Sequence, residues 1–231
     1  MAREWHYDRK ALRRDALRRD ILQDVNGGII SSAAIIQGLT VAGATGHEAV
    51  VGVTALIIIG AVAAATAKYS QTVGERKAVL AVYRFEREAL TANPEREEAD
   101  LVRIYEEKGL SPDLAKAVAR ELTEKDALRA QLDDEFDISR VPSAWWPVGR
   151  AILSGLAFVG GTAMPLIFLL VLPWNTRGEV TLVFVVVALG ISGWLEHYSE
   201  HTAAWRSMVR TILLGLITLG VSTYAGERVN F

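Results

Sequence analysis

The residues best suited to chemistry form a short string near the end of the chain, Glu196-His-Tyr-Ser-Glu-His201. Two glutamates and two histidines each recur four residues apart, so on a helix they would share one side. Imidazole together with carboxylate suits zinc, manganese or iron. His197, Glu200 and His201 are therefore candidate ligands of an accessory metal site.

Two other interpretations of this string stay open. It fits the H-x-x-E-H pattern of one class of zinc peptidases, but a peptidase would need a third ligand and a substrate cleft that the sequence does not indicate, so we do not expect an enzyme. Trp194 and Trp205 flank the string, and Tyr198 lies within it. Such aromatic residues are typical of a helix end at a membrane interface, where the string would need no metal.

Charge and apolarity are separated along the chain that must position these residues. Hydrophobic residues make up 51% of it and charged residues 23%, and the mean hydropathy is +0.22. Between Ile29 and Ala67 only His47 and Glu48 can ionise, whereas charges are frequent from 69 to 147. The absence of cysteine excludes disulfides, thiolate metal sites and cysteine nucleophiles. The net charge of −2 does not suggest nucleic-acid binding.

Five apolar stretches approach the roughly 20 residues that a helix needs to cross a bilayer. They cover residues 25–43, 49–67, 148–172, 180–195 and 208–224. We therefore predict an all-α membrane protein with five transmembrane helices and a cytoplasmic three-helix insert between spans two and three. The predicted parts are a cytoplasmic amphipathic helix at 1–24, two spans within 25–68, a cytoplasmic helical domain at 69–147 and three spans within 148–231.

The distribution of lysine and arginine predicts the orientation of these spans. The segment before the first span holds 7 of them and residues 68–150 hold 14, whereas the turn between spans one and two holds none. The N-terminus and the insert should therefore be cytoplasmic. Because the number of spans is odd, the C-terminus should be external.

The insert has clear helix signals. Asn93 and Ser111 can each cap a helix, and each is followed by a proline at the first helical position. The apolar spacing that begins at Leu114 predicts the inner face of the last insert helix.

Two spans, a cytoplasmic three-helix insert and three further spans form the layout of the vacuolar iron transporter family, and the sequence resembles that family in its motifs. VNGGIIS resembles the Asn-Asp-Gly opening of the family's first span. YEEKGLSPDLAKAVARELTEKDAL resembles its insert, ILSGLAFVGGTAMPL its third span and RSMVRTILLGLITLGVSTYAGE its last. The similarity covers about residues 20–226, and the insert is its most specific part.

The resemblance implies a dimeric exporter of Fe²⁺ or Mn²⁺ that exchanges the metal for protons. We accordingly expect an integral protein of a bacterial inner membrane and a homodimer that contacts lipid. Divalent metal would be its cargo, with no further cofactor and no nucleic-acid partner. The alternative is a relative that does not transport and acts as a membrane-anchored metal sensor, buffer or scaffold.

The resemblance also assigns positions along the transport pathway. The family's aspartate, methionine and glutamate ligands correspond to Gly27, Ala64 and Lys68, so all three are absent. An ammonium roughly 6 Å from a divalent ion repels it by roughly 5–6 kcal/mol at an effective dielectric constant of about 20. Lys68 would then obstruct the pathway, unless it extends to the membrane interface. Asp24 is either a substitute ligand or a polar residue that favours the start of a membrane helix.

In the insert, the resemblance places the family's metal carboxylates at five positions, four of which are acidic here: Glu86, Ala89, Glu97, Asp100 and Glu135. Several oxygen ligands of this kind suit a hard divalent cation, so we predict weak metal binding that is lost as the pH falls through about 4–5. Residues 69–149 hold 17 acids, and a solvated charged surface is therefore the alternative.

Overall fold

The computed structural model describes residues 9–171, 177–200 and 204–229, and these residues form seven α-helices and no β-strand. In chain order the helices are α1 (Arg9–Val41), α2 (Gly46–Ala92), α3 (Pro94–Glu107), α4 (Pro112–Asp134), α5 (Trp146–Val171), α6 (Arg177–Glu200) and α7 (Ala204–Gly226). The prediction of an all-helical protein is confirmed.

The described residues fall into two compact units. The first unit contains the chain up to Lys68 and the chain from Val148 onward, and the second contains Tyr69–Pro147. Helix α2 contributes its first part to one unit and its last part to the other.

Two apolar clusters form the core of the first unit. One joins α1, α6 and α7 around Ile29 and Leu189. The other joins α1, α2 and α5 around Ile36 and Leu169. Because α1 belongs to both clusters, it is the central helix of this unit.

Glycines allow α1 and α5 to approach closely. A Cβ atom at Gly161 would collide with the main-chain carbonyl of Val25, and one at Gly28 would collide with the carbonyl of Phe158. Small residues bring helices into contact in membranes, where lipid provides no hydrophobic drive for association. The predicted beginning of the first span is thus packed directly against α5.

Three helices of the described chain are long and apolar enough to cross a bilayer: α2, α5 and Trp205–Gly226 within α7. Val180–Leu195 in α6 is a shorter apolar stretch. These helices suit an integral membrane protein. That α1 and α6 also cross, which would make five spans, stays a prediction.

Both predicted helix caps of the second unit lie at the expected residues, but only one of them forms a side-chain hydrogen bond. Asn93 Oδ1 accepts a hydrogen bond of 3.2 Å from the main-chain N–H of Arg96 at the start of α3. Ser111 occupies the position before α4, but its side chain makes no capping hydrogen bond. The prediction that Ser111 is the N-cap of α4 is therefore confirmed for its position, although the hydroxyl does not form the capping hydrogen bond.

Helix α4 also differs from its predicted pattern. Leu114 is 53% exposed, whereas Ala115 and Ala119 are buried, so the predicted inner face is wrong at its first position. The helix bends at Asp126, which has an extended backbone. The Asp126 carboxylate accepts a 3.1 Å hydrogen bond from the N–H of Arg129 and so caps the second half of the helix.

Candidate functional site

The second unit brings four acids from three helices near one another. Glu86 lies on α2, Glu97 and Asp100 lie on α3, and Glu135 is the C-cap of α4. Glu86 is buried, with 1% of its surface exposed, and the other three acids all act electrostatically on it. These are the four acidic positions assigned by the resemblance. The fifth, Ala89, has no ligand atom in its side chain.

Burial and repulsion perturb two of these acids. Loss of solvation, followed by the charges of Glu135, Glu97 and Asp100, raises the pKa of Glu86 to about 7. Desolvation, followed by the charges of Glu97 and Asp100, also raises the pKa of Glu135. Carboxylates in such surroundings are stabilised by protonation or by a nearby cation.

Two buried oxygen atoms of this unit, Glu86 Oε2 and Gln131 Oε1, have no hydrogen-bond partner within the described chain. The Gln131 side chain is nevertheless held in place, because its Nε2 donates to the main-chain carbonyl of Glu97. Buried polar atoms are normally paired. These two oxygens are therefore available to a proton, a water molecule or a cation.

The acids are neighbours but do not form a preformed coordination shell. Among the residues that the structure describes, no three carboxylate or imidazole side chains converge as a metal site requires. Asp100 is also engaged by basic side chains, with ion-pair distances of 3.3 Å to Arg103 and 3.9 Å to Arg96. A divalent ion needs several oxygens at once, so the side chains would have to turn toward one another to bind one.

The predicted pathway positions lie in the first unit, where α1, α2 and α5 meet. Ser154 of α5 is buried, and its hydroxyl lies 3.3 Å from the Ala64 carbonyl oxygen and within hydrogen-bonding reach of Asp24. A Cβ atom at Gly27 would have Phe158 as its nearest neighbour, 4.0 Å away. Asp24, Ala64 and α5 are therefore brought together, and position 27 has room for a side chain.

Lys68 is ion-paired within this unit. Its Nζ lies 3.2 Å from Asp20 Oδ2, and Arg150 Nη2 donates to the same oxygen. The Lys68 side chain is 12% exposed. Sequence reasoning missed Asp20, Arg150 and Ser154. The spacing of Asp20 and Asp24, one helical turn apart, is the sequence signal for Asp20, and it does not extend to Arg150 or Ser154.

The string Glu196–His201 cannot be placed in the same way. The main chain of residues 196–200 ends α6, but their side chains and the whole of His201 lie outside the described residues. The accessory site formed by His197, Glu200 and His201 stays a prediction.

These observations define an all-helical membrane protein whose second unit gathers carboxylates. A family model, that of the VIT family, matches residues 18–227, and the chain belongs to this family. The resemblance noted in the sequence is thereby confirmed.

Curated relatives agree with the family match. The chain is 28% identical to "Vacuolar iron transporter" of Acanthamoeba castellanii, over 89% of this chain and 80% of that protein. It is 23% identical to "Vacuolar iron transporter 1" of Eucalyptus grandis, over 86% and 81% of the two chains. It is also 23% identical to "Vacuolar iron transporter 1" of Arabidopsis thaliana, over 92% and 86%.

Proposed function

We propose that this protein is a divalent-metal transporter that exports Fe²⁺ or Mn²⁺ from the cytoplasm of a bacterium in exchange for protons. The observation that carries the proposal is the family match over residues 18–227. Relatives named as vacuolar iron transporters support it, because the similarity extends over 86–92% of this chain rather than over one motif.

In this proposal the second unit collects metal before transport. Glu86, Glu97, Asp100 and Glu135 would supply its oxygen ligands. Desolvation and then repulsion among these carboxylates raise the pKa of Glu86 and Glu135. A divalent cation would relieve the repulsion, which supports the role. The ion would also have to draw Asp100 away from Arg103 and Arg96. Both requirements favour weak and reversible binding over a permanent structural metal.

We further propose that the protein is a homodimer. Helix α2 exposes Ile58, Ile59 and Val62, and the small residues Ala63, Thr66 and Ala67 are exposed as well. Such a helix surface suits close packing against another helix. Cross-linking of single cysteines placed on this surface, analysed on denaturing gels, tests the dimer; lipid contact alone would give no cross-link between copies.

One observation favours a second candidate, a metal sensor or scaffold that does not transport. Gly27 and Ala64 lack ligand side chains, and Lys68 is held in an ion pair with Asp20. A relative with this set of residues could keep the family fold and the carboxylates of the insert while its membrane pathway is closed to metal.

Metal flux into proteoliposomes separates the two candidates. We expect purified protein to move Fe²⁺ or Mn²⁺ down a concentration gradient and to move it faster when a pH gradient provides counter-flowing protons. Protein-free liposomes measure the leak. Calorimetry with Mn²⁺ on the same preparation supplies the second readout. Binding without flux would support the sensor, and flux without stimulation by the pH gradient would contradict proton exchange.

A further inference from the structure

Charged side chains from three helices meet at one end of the first unit. Asp20 of α1 is at the centre, because its Oδ2 atom forms an ion pair with Lys68 of α2 and accepts a hydrogen bond from Arg150 of α5. The three side chains are largely buried, with exposed fractions of 23%, 12% and 18%. Two cations therefore share one carboxylate oxygen in a place with little water.

A fourth group completes the charge balance. Asp24 lies one helical turn beyond Asp20 on α1, and the charges of Lys68 and Arg150 both act on it. Two acids thus face two bases, and the cluster is neutral as a whole. Removing one member would leave a partly buried charge without its counter-charge, which is far more costly than the intact set.

The position of the cluster along the helices gives it a role. Asp20 precedes the apolar part of α1, Lys68 follows the apolar part of α2, and Arg150 precedes the apolar part of α5. Asp20 and Arg150 thus lie at the N-terminal ends of their apolar segments and Lys68 at the C-terminal end of its own, and the ion pairs bring these three ends together. Directly beyond them are Asp24 and Ser154, and Ser154 is only 3% exposed.

We propose that Asp20, Lys68 and Arg150 form an ion-pair gate that ties α1, α2 and α5 together at the edge of their apolar segments and shields the Ser154 hydroxyl behind it from water. Asp20 is the positioning residue of this gate, because it is the acceptor that both cations share. The ion pair of Lys68 is the one that can open, since Arg150 still holds Asp20 when the Lys68 side chain moves away. The gate goes beyond the proposed function, because it can exist with or without metal transport.

Solvent access to position 154 tests the gate. The chain has no cysteine, so a Ser154→Cys variant reports on this position alone through its rate of reaction with a small water-soluble thiol reagent in detergent. We expect Lys68→Gln to raise that rate several-fold. Asp20→Asn should raise it about ten-fold or more, because it releases both cations. Lys116→Gln on exposed α4 is the matched control and should leave the rate unchanged.

A second probe separates gate opening from unfolding. Ala33→Cys lies in the fully buried core of the same unit and should stay unreactive in all these backgrounds. An unchanged rate at position 154 would overturn the gate, and so would a parallel rise at positions 33 and 154. Faster labelling at 154 without metal flux in any variant would support the gate and contradict the proposed transport. Metal flux in the wild type, together with an unchanged labelling rate at position 154 in the variants, would support the proposed transport and contradict the gate.

Discussion

At the scale of single residues, Glu86 should control the pH dependence of metal binding in the insert. Its pKa is raised to about 7 by burial and by neighbouring carboxylates, so its proton competes with metal near neutral pH. We expect Mn²⁺ affinity to fall about ten-fold between pH 8 and pH 6, as the ionised fraction of such a group falls about ten-fold. This range lies above the pH 4–5 expected from ordinary carboxylates. Calorimetry on the full protein at the two pH values measures it.

Two variants identify Glu86 as the responsible group. Glu86→Gln should bind Mn²⁺ more weakly than the wild type and with little change between pH 6 and pH 8. Glu88→Gln, on the exposed side of the same helix, should keep both the affinity and the pH dependence. A wild type whose affinity is the same at pH 6 and pH 8 would contradict the prediction. If a Glu97→Ala/Asp100→Ala/Glu135→Ala variant bound Mn²⁺ as tightly as the wild type, these acids would be part of a solvated charged surface and not a metal site.

A second prediction at this scale concerns the altered pathway. Lys68→Glu together with Gly27→Asp and Ala64→Met restores the ligand types of the family, and position 27 has room for a side chain. We expect this triple variant to raise Fe²⁺ or Mn²⁺ flux in proteoliposomes, because reversing a charge near the path changes the energy of a divalent ion by several kcal/mol.

The ion pair with Asp20 weakens the repulsion that Lys68 exerts on a cation, so the single substitution Lys68→Glu should have a smaller effect than the charge of an isolated lysine would suggest. Because Asp20 balances part of the lysine charge, the wild-type residue repels a cation less than an isolated ammonium would. Lys68→Glu also brings a third carboxylate near Asp20 and Asp24, which should attract cations to the same place. Robust wild-type flux that Lys68→Glu does not alter would refute the idea that this residue obstructs the pathway.

At the scale of helices, the two N-caps of the insert form a matched pair. Asn93 makes a side-chain hydrogen bond to the helix start, and Ser111 does not. We expect Asn93→Ala to lower the stability of the start of α3 by about 1 kcal/mol. The amide hydrogens of its first turn should then exchange roughly five-fold faster. Ser111→Ala should leave α4 almost unchanged. Mass spectrometry of exchange in the full protein measures both, and equal effects would contradict the assignment.

The adjacent glycines of α5 form a second matched pair. A Cβ atom at Gly161 collides with α1, whereas one at Gly160 meets nothing within 4 Å. We expect Gly161→Ala to destabilise the first unit by about 1–3 kcal/mol, as overpacking does. Gly160→Ala should be neutral, or stabilising by up to about 1 kcal/mol through helix propensity. Thermal unfolding in detergent compares them; a Gly160→Ala variant as unstable as Gly161→Ala would show that the close α1–α5 contact is not the cause.

These helices also show which features a sequence can predict. The existence of the helices and the cap at Asn93 follow from local patterns, because capping and hydrophobic spacing involve residues within one or two turns. The meeting of Asp20, Lys68 and Arg150 does not follow, because it depends on how α1, α2 and α5 pack. The missing hydrogen bond of Ser111 and the exposure of Leu114 have a related reason. Residue type permits a capping bond or a buried contact, but the packing of neighbouring side chains decides whether it forms.

At the scale of the whole molecule, the remaining question is which side of the membrane each unit faces. The lysine and arginine distribution predicts that the insert is cytoplasmic and that the turn between α1 and α2 and the C-terminus are external. Ser111 and Thr45 are both exposed, so they are suitable reporters for the insert and the turn. Because the chain has no cysteine, single cysteines at these positions and at Asn230 give unambiguous labelling.

In intact cells an impermeant thiol reagent should label positions 45 and 230 and leave position 111 unlabelled until the membrane is broken. Permeabilised cells provide the control, since all three positions should then react. Labelling of 111 but not of 45 in intact cells would reverse the predicted orientation. Labelling of 45 without 230 would instead indicate an even number of spans. Helices α1 and α6 would then be the first to re-examine, because they are not among the three helices of the described chain that are long and apolar enough to cross a bilayer.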